Sequence, residues 1–145
     1  MSLNVQGALQ NYSKVANESG VMNATPYRII QMLMAGALDR ISAAKGLIAR
    51  GDIVAKGKQI SDVISIINGL RRSLDHKAGG DIAANLDALY DYMVRQLMQA
   101  GVNNDVEVLD EVARLLNTIK NGWDSIPDPA VENTGAAAQS VGISA

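Results

Sequence analysis

The chain has 145 residues, of which 48% are hydrophobic and 19% charged, and its formal net charge is −2. This size suits one domain with one core, and the composition is typical of a globular chain. Aromatic residues make up only 3%, so the core must be aliphatic, which favours packed helices over a β-sandwich. Acidic and basic residues are mixed along the chain, so the sequence predicts neither a nucleic-acid interface nor a membrane-binding patch.

The absence of cysteine excludes disulfides and thiol chemistry and fits a reducing cytosol. The N-terminal residues lack a charged leader followed by an apolar run, so we expect no cleaved secretory signal. No stretch approaches the run of about eighteen apolar residues that indicates a membrane helix, so we expect no membrane insertion.

The first two predicted helices have clear boundaries. Thr25 is an N-cap residue, and proline follows it at the first helical position. Apolar residues then recur every three or four positions as far as Ile48, and Gly51 is a natural stop. Asp52 is predicted to cap a second helix that runs from about residue 53 to residue 74.

The segment LDHKAGGDIAANLDALYDYM, residues 74–93, joins the second and third helices. Gly79 and Gly80 can adopt positive φ values, so the chain is predicted to turn there. Asp81 is predicted to open the third helix, because its negative charge would lie beside unpaired N–H groups. The predicted core stripe of this helix is Ile82, Leu86, Leu89, Met93 and Leu97.

The fourth helix is predicted to begin after Asn104 or Asp105 and to end near Trp123, before two prolines. Short connections between long helices make neighbours antiparallel. The predicted fold class is therefore all-α, an antiparallel up-down-up-down four-helix bundle. We assign the bundle to residues 25–126.

The two ends of the chain differ from this regular middle. Residues 1–24 contain scattered apolar side chains without a clean repeat, so we expect a mobile N-terminal arm that can fold back on the bundle. Residues 127–145 are mostly small and polar and lack an apolar stripe. We expect a disordered C-terminal tail there.

Several predicted stripes are wider than the arc of about 100° that a bundle helix needs to face its core. The side chains that widen them include Ile66, Tyr90, Val94, Met98 and Leu115. A wide stripe arises where a helix touches two neighbours. It also arises where a hydrophobic groove, rimmed by charged residues, accepts a segment of another protein. The pattern alone leaves both interpretations open.

The sequence lacks the usual patterns of catalysis and metal binding. Its one histidine, His76, follows Asp75 directly, and adjacent residues on a helix point in different directions, so no catalytic triad is predicted. We expect this histidine at the surface near a helix C-terminus. None of the glutamates has a histidine three residues later, which excludes the di-iron pattern of helical bundles. We therefore expect no enzyme, no metal and no cofactor, and we expect Asp91 to pair with Arg95 on the surface.

The stretch from Tyr12 to Ile126 resembles one known family. The segments IIQMLMAGALDRI, LDHKAGGDIAANLDALYDYM and NNDVEVLDEVARLLNTIKNGWDSI together resemble the flagellar secretion chaperone family FliS. The sequence departs from the family pattern at Met34, where the family often has an aromatic residue, and in the hairpin, which lacks the family's usual acidic residue.

This resemblance implies a cytoplasmic export chaperone without catalytic activity. Such proteins bind the C-terminal segment of flagellin in a hydrophobic groove, prevent premature filament polymerisation and assist delivery to the flagellar type III export gate. The expected client-binding residues are Ile66, Leu70, Leu74, Tyr90, Met93, Val94, Met98 and Leu115. In the family the N-terminal arm can cover part of this surface and contributes to binding of the export gate protein, and Leu9 and Tyr12 match that element.

A second interpretation belongs to another class of protein. The same apolar surface would suit a non-catalytic structural helical protein that self-associates. A weak homodimer is compatible with either interpretation, whereas nucleic acid is expected as a partner in neither.

Overall fold

The computed structural model describes residues 24–127. This range contains four helices: α1 (Pro26–Arg50), α2 (Ile53–Arg72), α3 (His76–Asn103) and α4 (Val106–Asp124). Each helix packs against its neighbours in the chain, and α4 also packs against α1. The helices therefore form the predicted up-down-up-down bundle, in which α1 lies diagonally opposite α3 and α2 opposite α4. The predicted arm and tail lie outside the described residues, apart from positions 24 and 127.

Polar caps set most helix boundaries where the sequence predicted them. The Thr25 hydroxyl caps α1, and Pro26 occupies its first turn. Gly51 ends α1 with a φ of 74°, and Asp52 accepts a backbone N–H of the first turn of α2. Asp105 caps α4 in the same way. These side chains satisfy N–H groups that the start of a helix leaves without partners.

The connection between α2 and α3 differs from the prediction. Helix α2 ends at Arg72 rather than at residue 74, and α3 begins at His76, before the two glycines. The reason is Asp75, whose carboxylate accepts two backbone N–H groups and so starts a helical turn earlier than expected. His76 is exposed, but it lies at a helix N-terminus, so its predicted position at a C-terminus was wrong.

Gly80 separates this first turn from the rest of α3. Its φ of 51° and ψ of −125° interrupt the helix, and a side chain at that position would be strained. The helix resumes at Asp81, the residue predicted to open it. The glycine turn predicted from the sequence is therefore present at Gly80, where it separates one helical turn from the rest of α3, whereas the connection to α2 lies earlier, at residues 73–75.

The core is aliphatic, as the composition predicted. Its largest fully buried side chains are Leu33, Met34, Ile41, Val63, Ile67, Leu70, Met93, Leu97, Leu109, Val112 and Leu116. Burying one such side chain contributes about 1.5–3 kcal/mol of hydrophobic stabilisation. All four helices supply members of this set, so the core runs along the bundle axis.

A buried lysine connects α2 to α3 at the end of the bundle where α2 begins. Lys56 is only 4% exposed, and its Nζ donates to the backbone oxygen of Gly101 over 2.6 Å. The oxygens near a helix C-terminus carry partial negative charge and lack partners within the helix. The positive charge of Lys56 therefore offsets the partial negative charge at the end of α3. The same hydrogen bond gives the buried ammonium group a partner.

Replacing the fully buried Leu97 with Ala should lower the free energy of unfolding by about 2–5 kcal/mol, because the core loses contacts and keeps a cavity. The same change at the next residue, Met98, should cost less than about 0.5 kcal/mol. Its side chain is 58% exposed. Chemical denaturation of the two variants measures the difference. Equal losses of unfolding free energy in the two variants would contradict an orientation of α3 in which Leu97 faces the core and Met98 faces solvent.

Candidate functional site

One end of the bundle opens into an apolar groove with a cavity volume of about 910 Å³. It lies where α1 and α3 begin and where α2 and α4 end, so all four helices contribute to its walls. Helix α1 supplies Ile29, Ile30 and Met34, and α3 supplies Ile82, Leu86 and Tyr90. Because α1 and α3 are diagonal in the bundle, the groove is a part of the core that is left open.

The floor and the rim of this groove differ in exposure. Met34 and Leu70 are 1% exposed and Tyr90 is 3% exposed, so the floor belongs to the packed core. Ile82 at the rim is 72% exposed. A large aliphatic side chain that borders an open apolar cavity marks a surface suited to an apolar partner.

The wall formed by α1 and α4 is held by a reciprocal set of contacts. The hydroxyl of Tyr27 donates to the backbone oxygens of Ile126, at 2.6 Å, and Trp123, at 2.9 Å. Trp123 Nε1 in turn donates to the backbone oxygen of Tyr27 over 3.1 Å. The two rings stack with their centroids 5.3 Å apart. We call this set of three residues the aromatic clasp; it fixes the start of α1 to the end of α4.

The environment of Tyr90 shows how apolar the groove floor is. Burial raises the pKa of this phenol to about 12. Desolvation disfavours the charged phenolate, so the proton is held more tightly than in water. The groove therefore offers a poor environment for charge at its floor and a favourable one for aliphatic side chains.

Charged residues flank the groove along α2 and α3. Arg71 donates to Asp87 over 2.8 Å and to Asp91 over 3.2 Å, and Arg95 donates to Asp91 over 3.1 Å. The predicted pairing of Asp91 with Arg95 is thus confirmed. The hydrogen bond from Arg71 lowers the pKa of Asp87. Half-exposed pairs of this kind contribute about 0–1 kcal/mol each, so they position side chains more than they stabilise the fold.

The predicted client-binding residues occupy three different environments. Leu70, Leu74 and Tyr90 line the groove. Ile66 and Met93 are buried in the core cluster. The remaining three lie outside the groove: Val94 and Leu115 are half-buried against the core, and Met98 is exposed. Leu9 and Tyr12 lie outside the described residues.

Sequence reasoning missed the contribution of α1 to the groove, and from α4 it chose Leu115, which does not line the groove. The apolar pair Ile29 and Ile30, in the second turn of α1, faces the cavity, and so does Trp123 near the end of α4. Their position along the helices could have indicated that they line the groove. In an antiparallel bundle, the first turns of α1 and α3 meet the last turns of α2 and α4 at the same end.

The described residues hold no constellation suited to metal chemistry. Between residues 24 and 127, no group of three or more histidine, aspartate or glutamate side chains could hold a metal ion. In the same range, no helix is both long and apolar enough to cross a bilayer.

A helical bundle with an open apolar end has the architecture of a protein-binding scaffold, and the comparisons identify which one. The family model described as "Flagellar protein FliS" matches residues 8–130. A flagellar secretion chaperone FliS of Vibrio cholerae is 45% identical over 133 residues, which cover 92% of this chain and 97% of the relative. The chain belongs to the FliS family of flagellar secretion chaperones.

Two further relatives agree with this assignment. The flagellar secretion chaperone FliSB of Pseudomonas aeruginosa is 46% identical over 119 residues, covering 82% of this chain and 94% of the relative. A FliS of Salmonella typhimurium is 44% identical over 123 residues, covering 84% of this chain and 91% of the relative. The similarity therefore extends over more than four fifths of both partners in each comparison, and it supports a role as an export chaperone.

The raised pKa of Tyr90 predicts a specific loss of stability at high pH. The folded state holds the phenol proton more tightly than the unfolded state does. The resulting contribution to the unfolding free energy is fully present below about pH 10 and is lost as the pH rises towards 12. The Tyr90→Phe variant should lack this component, which amounts to about 2–3 kcal/mol. Unfolding curves across that range, with tyrosinate absorbance, measure it. Identical pH profiles of variant and wild type would contradict the assignment.

Proposed function

We propose that this protein is a cytoplasmic, non-catalytic export chaperone that binds the C-terminal segment of flagellin in the apolar groove. Binding there keeps flagellin from polymerising before export, and the complex is then delivered to the flagellar type III export gate. The observation that carries the proposal is the open end of the core, where exposed Ile82 borders a cavity of about 910 Å³. The names of the relatives support the same role.

The energetics require a groove of this size. Burying one leucine-sized side chain yields about 1.5–3 kcal/mol. Ordering a segment that is disordered when free costs about 2–5 kcal/mol of the gross interaction energy. Several apolar anchors must therefore bind together, and walls formed by four helices provide room for them. An amphipathic helix that presents residues at i, i+3, i+4 and i+7 has the required shape.

The proposed client surface extends from the groove along the bundle. Leu70, Leu74 and Tyr90 would contact client side chains inside the groove. Val94, Met98 and Leu115 would extend the surface beyond it, and Ile66 and Met93 would support it from the core.

Placing a charge at the groove rim tests the proposal. The Ile82→Asp substitution should raise the Kd for a peptide of flagellin's C-terminal segment by about tenfold or more, because a carboxylate would enter an apolar contact. The unfolding free energy should change little, since Ile82 is 72% exposed. Isothermal titration calorimetry measures the affinity.

Val54 offers a matched control for this experiment. It is also β-branched, lies in the first turn of α2 and is 87% exposed, but it is not part of the groove. The Val54→Asp variant should bind the peptide like the wild type. Equal weakening by both substitutions would reject the groove as the binding site. No peptide binding by the wild type, together with concentration-dependent dimerisation, would support the self-associating structural protein instead.

We also propose a role for the N-terminal arm, through Leu9 and Tyr12. Tyr12 docks on the bundle when no client is present and leaves when flagellin arrives. The first helical residue, Pro26, lies in the groove lining, so the arm enters the bundle beside the proposed binding site. An arm attached there reaches the groove at a high effective concentration.

The Tyr12→Ala substitution separates this role from folding. It should alter the affinity for the flagellin peptide or for the export gate protein, while the unfolding free energy stays within about 0.5 kcal/mol of the wild type. Titrations with each partner and chemical denaturation provide the three measurements. Two unchanged affinities would rule out a function for this side chain.

A further inference from the structure

A second pocket, of about 420 Å³, adjoins the groove at Leu74, the residue that lines both. The two pockets differ in chemistry. The groove is aliphatic, whereas the second pocket presents Arg71, Arg72, His76, Asp87 and the amide of Asn68. Leu74 is thus the border between an apolar surface and a polar, cationic one.

The charges of this polar pocket are unequally engaged. Arg71 is held by Asp87 and Asp91, so both of these carboxylates already have a cationic partner. Arg72 is exposed and has no hydrogen-bond or ion-pair partner among residues 24–127. The guanidinium of Arg72 is therefore left without a partner among residues 24–127 and can bind a group from another molecule.

The acidic residue in the groove lining forms no ion pair with Arg72. Asp75 lines the groove, but its carboxylate accepts the backbone N–H groups of Lys77 and Ala78, at 3.1 and 3.0 Å. The opposite end of the groove, at α4, is closed by the aromatic clasp, whose polar groups are paired with one another. A bound segment therefore meets the unengaged guanidinium of Arg72 where the groove passes Leu74.

From this asymmetry we propose that the polar pocket is a carboxylate subsite for the bound client, an inference that rests on the proposed function. The apolar anchors of the client fill the groove, and a carboxylate beyond them binds the guanidinium of Arg72. Arginine suits this task because its planar fork of N–H donors matches the two oxygens of a carboxylate. The carboxylate belongs either to an acidic side chain or to the C-terminus of the client.

The subsite orients the client in addition to binding it. Aliphatic contacts are non-directional, so the groove alone would accept an amphipathic helix in either direction. A cation at one end and paired polar groups at the other distinguish the two directions. Because Arg72 is exposed, the expected gain in affinity is modest, about two- to fivefold at moderate ionic strength.

The experiment combines a protein substitution with client modification. The full-length chain and its Arg72→Gln variant are titrated with a peptide of flagellin's C-terminal segment from the same organism. Three modified peptides are tested in parallel: one amidated at its C-terminus, one with its acidic residues changed to Gln or Asn, and one with both changes. Arg114→Gln serves as the matched control, because Arg114 is also exposed and unpaired within residues 24–127 but lines neither pocket.

Arg72→Gln should weaken binding of the unmodified peptide about two- to fivefold and should leave binding of the doubly modified peptide unchanged. The single modification that abolishes the effect identifies the carboxylate, and Arg114→Gln should have no effect on any peptide. Equal affinities of the Arg72→Gln variant and the wild type would overturn the subsite, as would equal weakening for all four peptides. If the wild type binds no peptide, the proposed function fails and the subsite fails with it.

Discussion

The bundle depends on an aliphatic core that is filled along most of its length and open at one end. Side chains such as Met93 and Leu97 are fully buried where α3 has neighbours on both sides. Towards its N-terminus the same helix presents Ile82, which is 72% exposed, at the rim of the groove. Burial of the apolar surface in this opening is favourable, and an apolar segment that binds there would provide it.

Local backbone chemistry keeps that end open. Asp75 starts a separate helical turn, and Gly80 breaks it from the rest of α3 in a conformation that favours glycine. On the other side, the stacked rings and hydrogen bonds of the aromatic clasp hold α1 and α4 together. Capping and clasping contacts thus hold the walls of the groove in place, and the clasp residues Tyr27, Trp123 and Ile126 also line it.

Much of the fold was predictable from the sequence, because the relevant signals are local. The caps Thr25, Asp52 and Asp105 and the stop at Gly51 act on backbone groups within one turn, and the apolar period reports which face is buried. The site was less predictable. Periodicity placed Ile82 in the core stripe, yet its exposure depends on how far helices from distant parts of the chain approach each other. The clasp joins residues 96 and 99 positions apart, which no local pattern encodes.

The separation of core and groove also explains how one small bundle can be stable while presenting an apolar surface. The floor of the groove, formed by Met34, Leu70 and Tyr90, is already packed in the core. The stability of the fold therefore does not depend on a bound partner. Only the rim and the cavity above the floor leave apolar surface exposed to water. Burying that surface provides binding energy when a segment enters the groove. The charged pairs of Arg71 with Asp87 and Asp91 flank this surface with hydrated groups, which disfavours unspecific contact between copies of the chain. A chaperone needs this division, because it must stay folded both before a client binds and after the client has left.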